Sequence, residues 1–341
     1  MELHQLHMLR ELGELGSVKA VAETLSVTSS AVSQQISLLQ RQVGAPLTRR
    51  DGRNLVLTEA GQVLAAAGAQ VIDAMAGAQA AIGAYQRNGG GTVTVSGFHS
   101  AGQALFAPLV RRLAAASAAS TADGGNPVPL PAPAGPKVKF SDEDVAQHDF
   151  PALTSRYDLV LAHRMDHSPA WPQERVRVIP LAHEPLDVAV AADHPLAALP
   201  ELFPQDVVAH PWVASRSGYS PADVLTAIGA VTSKSVNVVH RINDYSAAAA
   251  LVATGEVIGL LPRYTSGPVV NPAAGVVLRP LRGINTRRRI DLLARPEHFQ
   301  RDAVTTVVRA LQEVMAELVR HGHSQPDQPS RPASAGPGVR A

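Results

Sequence analysis

Ser29, Ser30, Ser33, Gln34 and Ser37 recur at the spacing of one helix face, opposite an apolar stripe of Val32, Ile36, Leu39 and Val43. These are residue types that read nucleic acid. A glutamine such as Gln34 forms a bidentate pair with adenine, and serine hydroxyls bond either bases or phosphates. Thr28 is placed to cap the helix, and together with Ser29 it can hold a phosphate near the helix's positive end. Arg49, Arg50 and Arg53 follow, cations suited to phosphates or the minor groove. From Arg41 to Leu57 these three and Arg41 stand against Asp51, a local excess of three positive charges (four minus one). The expected DNA-facing set is therefore Thr28, Ser29, Ser30, Ser33, Gln34, Ser37, Arg49, Arg50 and Arg53. Gln35 and Gln40 stay open between solvent and a neighbouring helix.

Several elements must position these side chains. A first helix over residues 3–15 carries Leu3, Leu6, Leu9 and Leu12 on one face and ends at Gly16. Ser17 caps a second helix, to about Leu25, and a tight turn leads to the third, closed by Gly44. Two short helices so joined offer the second of them to the major groove. Residues 47–57 predict a hairpin turning at Asp51-Gly52, the wing of the unit. Thr58 caps a long helix to about Arg87. Gly61, Leu64, Gly68, Val71, Met75, Ala78, Ile82 and Tyr85 mark a heptad seam on it, the pattern of a helix paired with its own copy.

Asn88-Gly89-Gly90-Gly91 makes a flexible joint. Beyond it, strands are expected at 92–96, 138–140, 158–162, 186–191, 212–214, 236–240, 257–261 and 290–294. Helices are expected at 101–116, 221–230, 243–254 and 301–320. That alternation predicts open, mostly parallel sheets. Residues 114–136, rich in Ala, Ser, Gly and Pro, read as a floppy insertion, and the segment from 323 to 341 as a disordered tail.

The 341 residues predict two or three domains. A composition 45% hydrophobic and 17% charged is globular, and 4% aromatic leaves the cores to Ala, Val, Leu and Ile. A net charge of +1 hides the local basic patch. The absence of cysteine excludes disulfides and thiolate metal sites and suits a cytoplasmic protein. The N-terminus lacks a secretory pattern, and no uninterrupted apolar stretch of about 18 residues suggests a membrane span. Thirteen histidines show no metal-ligand spacing such as His-Glu-x-x-His, and no Gly-x-Ser-x-Gly elbow, phosphate loop or dinucleotide fingerprint appears. No metal, cofactor or enzymatic activity is expected.

Three runs agree in order and spacing with one family. They are Ala31-Val32-Ser33-Gln34-Gln35-Ile36; Gly44-Ala45-Pro46-Leu47 with Arg49, Arg53 and Leu57-Thr58-Glu59-Ala60-Gly61; and Asp193-His194-Pro195-Leu196. The chain resembles a LysR-type transcriptional regulator over nearly its whole length. Ser29-Ser30 stands where that family commonly has Gln-Pro. The resemblance implies a winged helix-turn-helix over 1–58, a linker and dimerisation helix over 59–90, and an effector-binding α/β domain over 91–322. That domain would be two-lobed and similar to periplasmic solute-binding proteins. Lobe one would comprise 91–163 and 269–322, and lobe two 164–268. The cleft positions it implies are His99, Ser100, Ser141, His163, Arg216, Ser217 and Asp244. Ser100 and Ser217 would donate to a carboxylate or carbonyl, and Arg216 would add a charge-assisted bond, so a small organic anion is the expected effector. The expected partners are a near-palindromic operator in double-stranded DNA, that effector, and further copies in a homodimer or homotetramer. The other reading is a constitutive DNA-binding regulator whose lobes serve only assembly.

Overall fold

The computed structural model describes residues 1–52, 54–85, 91–122, 135–267, 270 and 275–323. The N-terminal unit consists of α1 (Leu3–Leu15), α2 (Val18–Thr24), α3 (Ser29–Val43), the hairpin β1 (Thr48–Asp51) and β2 (Asn54–Leu57), and α4 (Glu59–Tyr85). Leu9, Leu12, Val21, Val32, Ile36, Leu39 and Leu47 make its core. Val43, expected on the buried stripe of α3, is 43% exposed, because the stripe turns past the core in the last helical turn. Asp51 pairs with Asn54 in the hairpin, so the turn falls one residue later than the Asp51-Gly52 pair suggests.

Gly61 and Gly68, expected on a self-pairing seam of α4, instead face their own chain. A Cβ on Gly61 would meet the Leu47 carbonyl oxygen at 2.1 Å, and one on Gly68 would meet Leu6 at 3.2 Å. Ile72 joins them in burial, while Val71, Met75 and Ile82 remain exposed. Helix α4 is also long and apolar enough over Glu59–Ile82 to cross a membrane by length and composition. The run is still interrupted by Gln62, Gln70, Asp73 and Gln79, as the sequence reading has it; the alanines between them raise the average. One face of the helix packs on α1 and on the 3-10 turn Pro296–Gln300, and its Asp73 accepts a bond from Gln300 at 3.2 Å.

The α/β part opens with β3 (Thr92–Gly97). A helical turn at His99–Ala101 then runs through a π-helical stretch, Gly102–Phe106, into α5 (Ala107–Ala122). Residues 114–122, expected to be floppy, are helical, in keeping with the high helix propensity of alanine. Then come β4 (Lys137–Asp142), the short helix Phe150–Leu153, β5 (Leu159–Met165), β6 (Arg177–Ala191), β7 (Pro211–Ala214) and α6 (Ser220–Thr232). They are followed by β8 (Asn237–Arg241), α7 (Tyr245–Val252), β9 (Ile258–Pro262), β10 (Val276–Arg279), β11 (Arg287–Ala294) and α8 (Asp302–His323). Most of residues 323–341, the expected tail, lie outside the described residues.

Among the described residues the strands follow the order β4-β3-β5-β11-β6-β9-β7-β8, with β10 also paired to β6. The pairs of β3 with β4 and β5, and of β7 with β8 and β9, are parallel, as expected. Strands β6 and β11 run antiparallel to their neighbours and make the sheet mixed. Two large cores pack on different parts of this sheet. One is built around Val95, Leu105, Leu161, Leu292 and Leu311, the other around Leu186, Trp212, Ile228 and Leu260. A smaller third cluster forms around Ala189, Val213, Val252 and Leu261.

The crossings between lobes fall later than the expected boundaries after residues 163 and 268. Strand β6 carries the chain across: its first half pairs with β11 and its second half, from Leu186, with β9. Strand β10 still belongs to lobe two, so the return comes at β11. Pro180 and Pro185 disguise the first half of β6, since proline reads as a strand breaker; a register shift opposite Ile290/Asp291 marks the irregularity near Pro180.

Candidate nucleic-acid interface and inter-lobe cleft

Helix α3 starts where the Thr28 hydroxyl accepts the Ala31 N–H at 3.2 Å, and it ends at Gly44 in the left-handed conformation, with φ 74°. Burial of Val32, Ile36 and Leu39 turns Ser29, Ser30, Ser33, Gln34 and Ser37 to solvent as one face. The Ser33 hydroxyl donates back to the Ser29 carbonyl at 3.0 Å, which leaves its oxygen as an acceptor. Leu38, 38% exposed one turn after Gln34, leaves an apolar side chain beside this face, a residue that the sequence reading did not single out. Arg49 and Arg50 are exposed on β1, with Arg49 3.9 Å from Asp51. Arg53 lies outside the described residues.

The two glutamines left open are positioning residues. The Gln35 side-chain carbonyl accepts from Gln5 at 3.0 Å and ties α3 to α1. The Gln40 carbonyl accepts the Leu47 and Thr48 N–H groups at 2.9 and 3.0 Å and the Thr48 hydroxyl at 3.1 Å. It thus fixes where the wing begins relative to α3. The turn between α2 and α3 places Ser26 in the left-handed region at φ 53°.

The reading head is docked on lobe one through buried charge. Arg295, 5% exposed, pairs with Glu11 and lies 2.6 Å from Glu14, while Arg10 meets Glu297 at 2.7 Å. Burial holds the Glu14 carboxyl above its ordinary value, opposed by the Arg295 guanidinium, and burial together with Arg10 lowers the His7 imidazole. The leucine stripe of α1 gave no sign of this second buried side.

Between the lobes, Phe98, His99, Ser100, Asp144, His163, Ser215, Tyr219, Asn243, Tyr245 and Arg288 surround a space of only about 20 Å³, room for about one water. Three of the expected residues therefore line it: His99, Ser100 and His163. Ser141 sits on β4 beside Ser96 and bonds Tyr157, away from the cleft, because alternation along the strand turns it from the lobe interface. Ser217 is exposed and off the cleft lining. Arg216 lies at the mouth, 66% exposed, 3.9 Å from Asp144 and stacked over Tyr219. Asp244 caps α7 through the Ala247 N–H at 2.7 Å, and its other carboxylate oxygen lies 2.6 Å from His99 Nε2.

His99 bridges the lobes, with Nδ1 3.0 Å from Asp142 on lobe one and Nε2 facing Asp244 on lobe two. The bond to Asp142 raises the imidazole above its ordinary value of 6.5. His163, packed edge-on to Phe98 and Phe150, is held well below that value by burial and then by Arg288.

The floor of the cleft is a network that sequence reasoning missed. Arg288 on β11 meets Glu184 on β6 at 2.7 Å, Thr265 at 2.9 Å and Ser100 at 3.2 Å, all of them buried. Glu184 also accepts the Tyr264 and Thr265 N–H groups at 2.8 and 2.6 Å. The run Arg287-Arg288-Arg289 was the available signal: alternate residues of a strand face opposite ways, so at least one of three arginines must point inward.

Comparisons with known proteins agree with this architecture. Residues 3–62 match the family model described as bacterial regulatory helix-turn-helix protein, lysR family, and residues 136–316 match LysR substrate binding domain. A relative from Synechocystis sp., named probable RuBisCO transcriptional regulator, is 24% identical over 307 residues, covering 89% of this chain and 82% of its own. The uncharacterized HTH-type transcriptional regulator YybE of Bacillus subtilis is 23% identical over 266 residues, covering 77% and 82%. Among solved structures, full-length OxyR from Pseudomonas aeruginosa superposes with TM-score 0.60 at 17% identity, over 92% of this chain and 97% of that one. ArgP from Mycobacterium tuberculosis gives TM-score 0.55 at 19% identity, over 92% and 96%. At such identities the likeness is one of fold.

Proposed function

The chain belongs to the LysR family of transcriptional regulators, DNA-binding proteins with an effector-binding domain, and from that membership we propose how this one works. Ser29, Ser30, Ser33, Gln34 and Ser37 read base edges in the major groove; Thr28 holds a phosphate at the start of α3, and Arg49 and Arg50 hold the backbone alongside. The observation that carries this reading is the capped, solvent-exposed polar face of α3, locked to α1 by Gln35 and to the wing by Gln40. Two heads joined through the exposed stripe of Val71, Met75 and Ile82 on α4 would read two half-sites of a near-palindromic operator.

The effector is a small organic anion that also carries a hydroxyl or amino group. Its anionic end would meet Ser100 and Arg288 once the lobes part, and its donor would meet the mouth carboxylates of Asp144 and Asp244. Lobe opening or closing then shifts the paired heads, a coupling between two sites through a two-state element. The closed cleft, about 20 Å³, also favours a second reading, a constitutive regulator whose lobes serve assembly.

Selection of genomic DNA fragments by the purified protein tests the head: a two-half-site motif is expected, and salt-sensitive retention without any motif would overturn the assignment. Thermal shift with a panel of small organic acids separates the two readings of the lobes, since a ligand of the folded state raises its melting temperature. No shift by any member supports constitutive action.

A further inference from the structure

We propose that the cavity between α1 of the reading head and lobe one is a second ligand site, shaped for a carboxylate carried on a small flat apolar body. Its volume is about 460 Å³, in the range of small-molecule sites. It is separate from the inter-lobe cleft and does not depend on that cleft's role. Trp171, Pro151, Pro169 and Pro172 supply apolar wall, and Arg164 the charge.

Arg164 sets this cavity apart. It stands near the end of β5 and is 8% exposed. Its Nη1 donates to the Ser168 carbonyl at 2.8 Å, while Nε is buried without a hydrogen-bond partner. The buried arginines 10, 288 and 295 each face a carboxylate within 2.7 Å. Arg164 makes no ion pair among the described residues. A buried cation without an anion is costly, and a carboxylate in the cavity relieves that cost through the guanidinium fork.

The indole of Trp171 lies 6.0 Å from the same guanidinium and is held in plane by its bond to Asp291 at 2.7 Å, so a flat ligand finds a fixed wall. Arg175, exposed, adds a second cation to the lining. The acidic groups of the lining have other partners: Glu14 lies against Arg295 at 2.6 Å, and Asp149 lies 3.4 Å from His148. Because Glu14 belongs to α1, an occupant touches the head and lobe one at once.

Calorimetric titration of the full chain with 2-naphthoate, and with 2-naphthamide as its uncharged analogue, tests the site. The expected result is one naphthoate per chain, bound about ten-fold or more tighter than the amide, as a charge-assisted pair requires. Arg164→Gln should erase that preference, and Arg164→Lys should keep part of it. Ala152→Phe, which fills the cavity from the short helix and leaves the arginine in place, should abolish binding even if Arg164→Gln fails to fold. Equal affinity for acid and amide would overturn the proposal, as would no binding in the millimolar range or undiminished binding by folded Ala152→Phe. Loss of binding in Ser100→Ala on the cleft lining, with Arg164→Gln unaffected, would place the ligand between the lobes and also overturn it.

Discussion

His99 and His163 sit a few residues apart in space and answer pH with opposite sign. His99 has its folded value raised by Asp142 and Asp244, so the clasp it makes across the lobes is fully present below about 6.5 and is lost as pH rises through the raised value. His163 is lowered by burial, so its contribution is present above the ordinary value and is lost as pH falls below it. His99→Asn should therefore lower the melting temperature most below 6.5, where the clasp is fully present, and converge with the parent chain as pH rises, so that the alkaline decline flattens; a melting series against pH checks this. On the reading face, Gln34→Ala should weaken specific binding by about 1–3 kcal/mol and relax base preference at one position. Arg50→Ala should weaken binding to every sequence alike and lower the salt slope by about 1. Binding titrations across salt concentrations distinguish the two, and equal behaviour of both variants would contradict this division of labour.

At the scale of elements, the joint between wing and linker helix is the most tightly built. The Thr58 hydroxyl donates to the Pro46 carbonyl at 2.7 Å and accepts the Gly61 N–H at 3.0 Å. Gly61 itself packs against the Leu47 carbonyl so closely that any Cβ collides with backbone. Gly61→Ala should cost roughly 2 kcal/mol or more, as overpacking against an immovable group does, and thermal unfolding measures it. An unchanged melting temperature would show that α4 can slide away from the wing. The glycine spacing on this helix was visible in the sequence, but its purpose was not. Small residues at heptad positions suit a partner helix from another copy as well as they suit Leu6 and Leu47 of the same chain.

For the whole molecule, the decisive feature is that head and effector domain share a buried ionic contact. Glu11→Ala would leave Arg295 facing only Glu14 and should destabilise the fold by about 3–5 kcal/mol, the cost of breaking a buried pair from one side. Limited proteolysis should then cut between head and lobe one sooner than in the parent chain. Equal protection would mean that α4 alone carries the docking. Under the proposed function, an effector that moved β11 would displace Arg295, the residue after it, and with it α1, which Arg295 holds through Glu11.

The sequence by itself determined the reading head, because everything there is local. Thr28 caps the helix it precedes, Gly44 ends it, and Val32, Ile36 and Leu39 bury one face and so expose the other. It also determined the alternation of strands and helices beyond residue 91, written in short apolar runs. Only the tertiary structure decided the cleft and the docking. Ser100, Glu184, Thr265 and Arg288 come from four distant segments, and they meet because β6 and β11 cross between the lobes. Arg10, Glu11 and Glu14 look like the solvated side of an amphipathic helix until Arg295 and Glu297, nearly three hundred residues on, bury them. A charge that finds its partner across such a distance leaves no period in the sequence to be read.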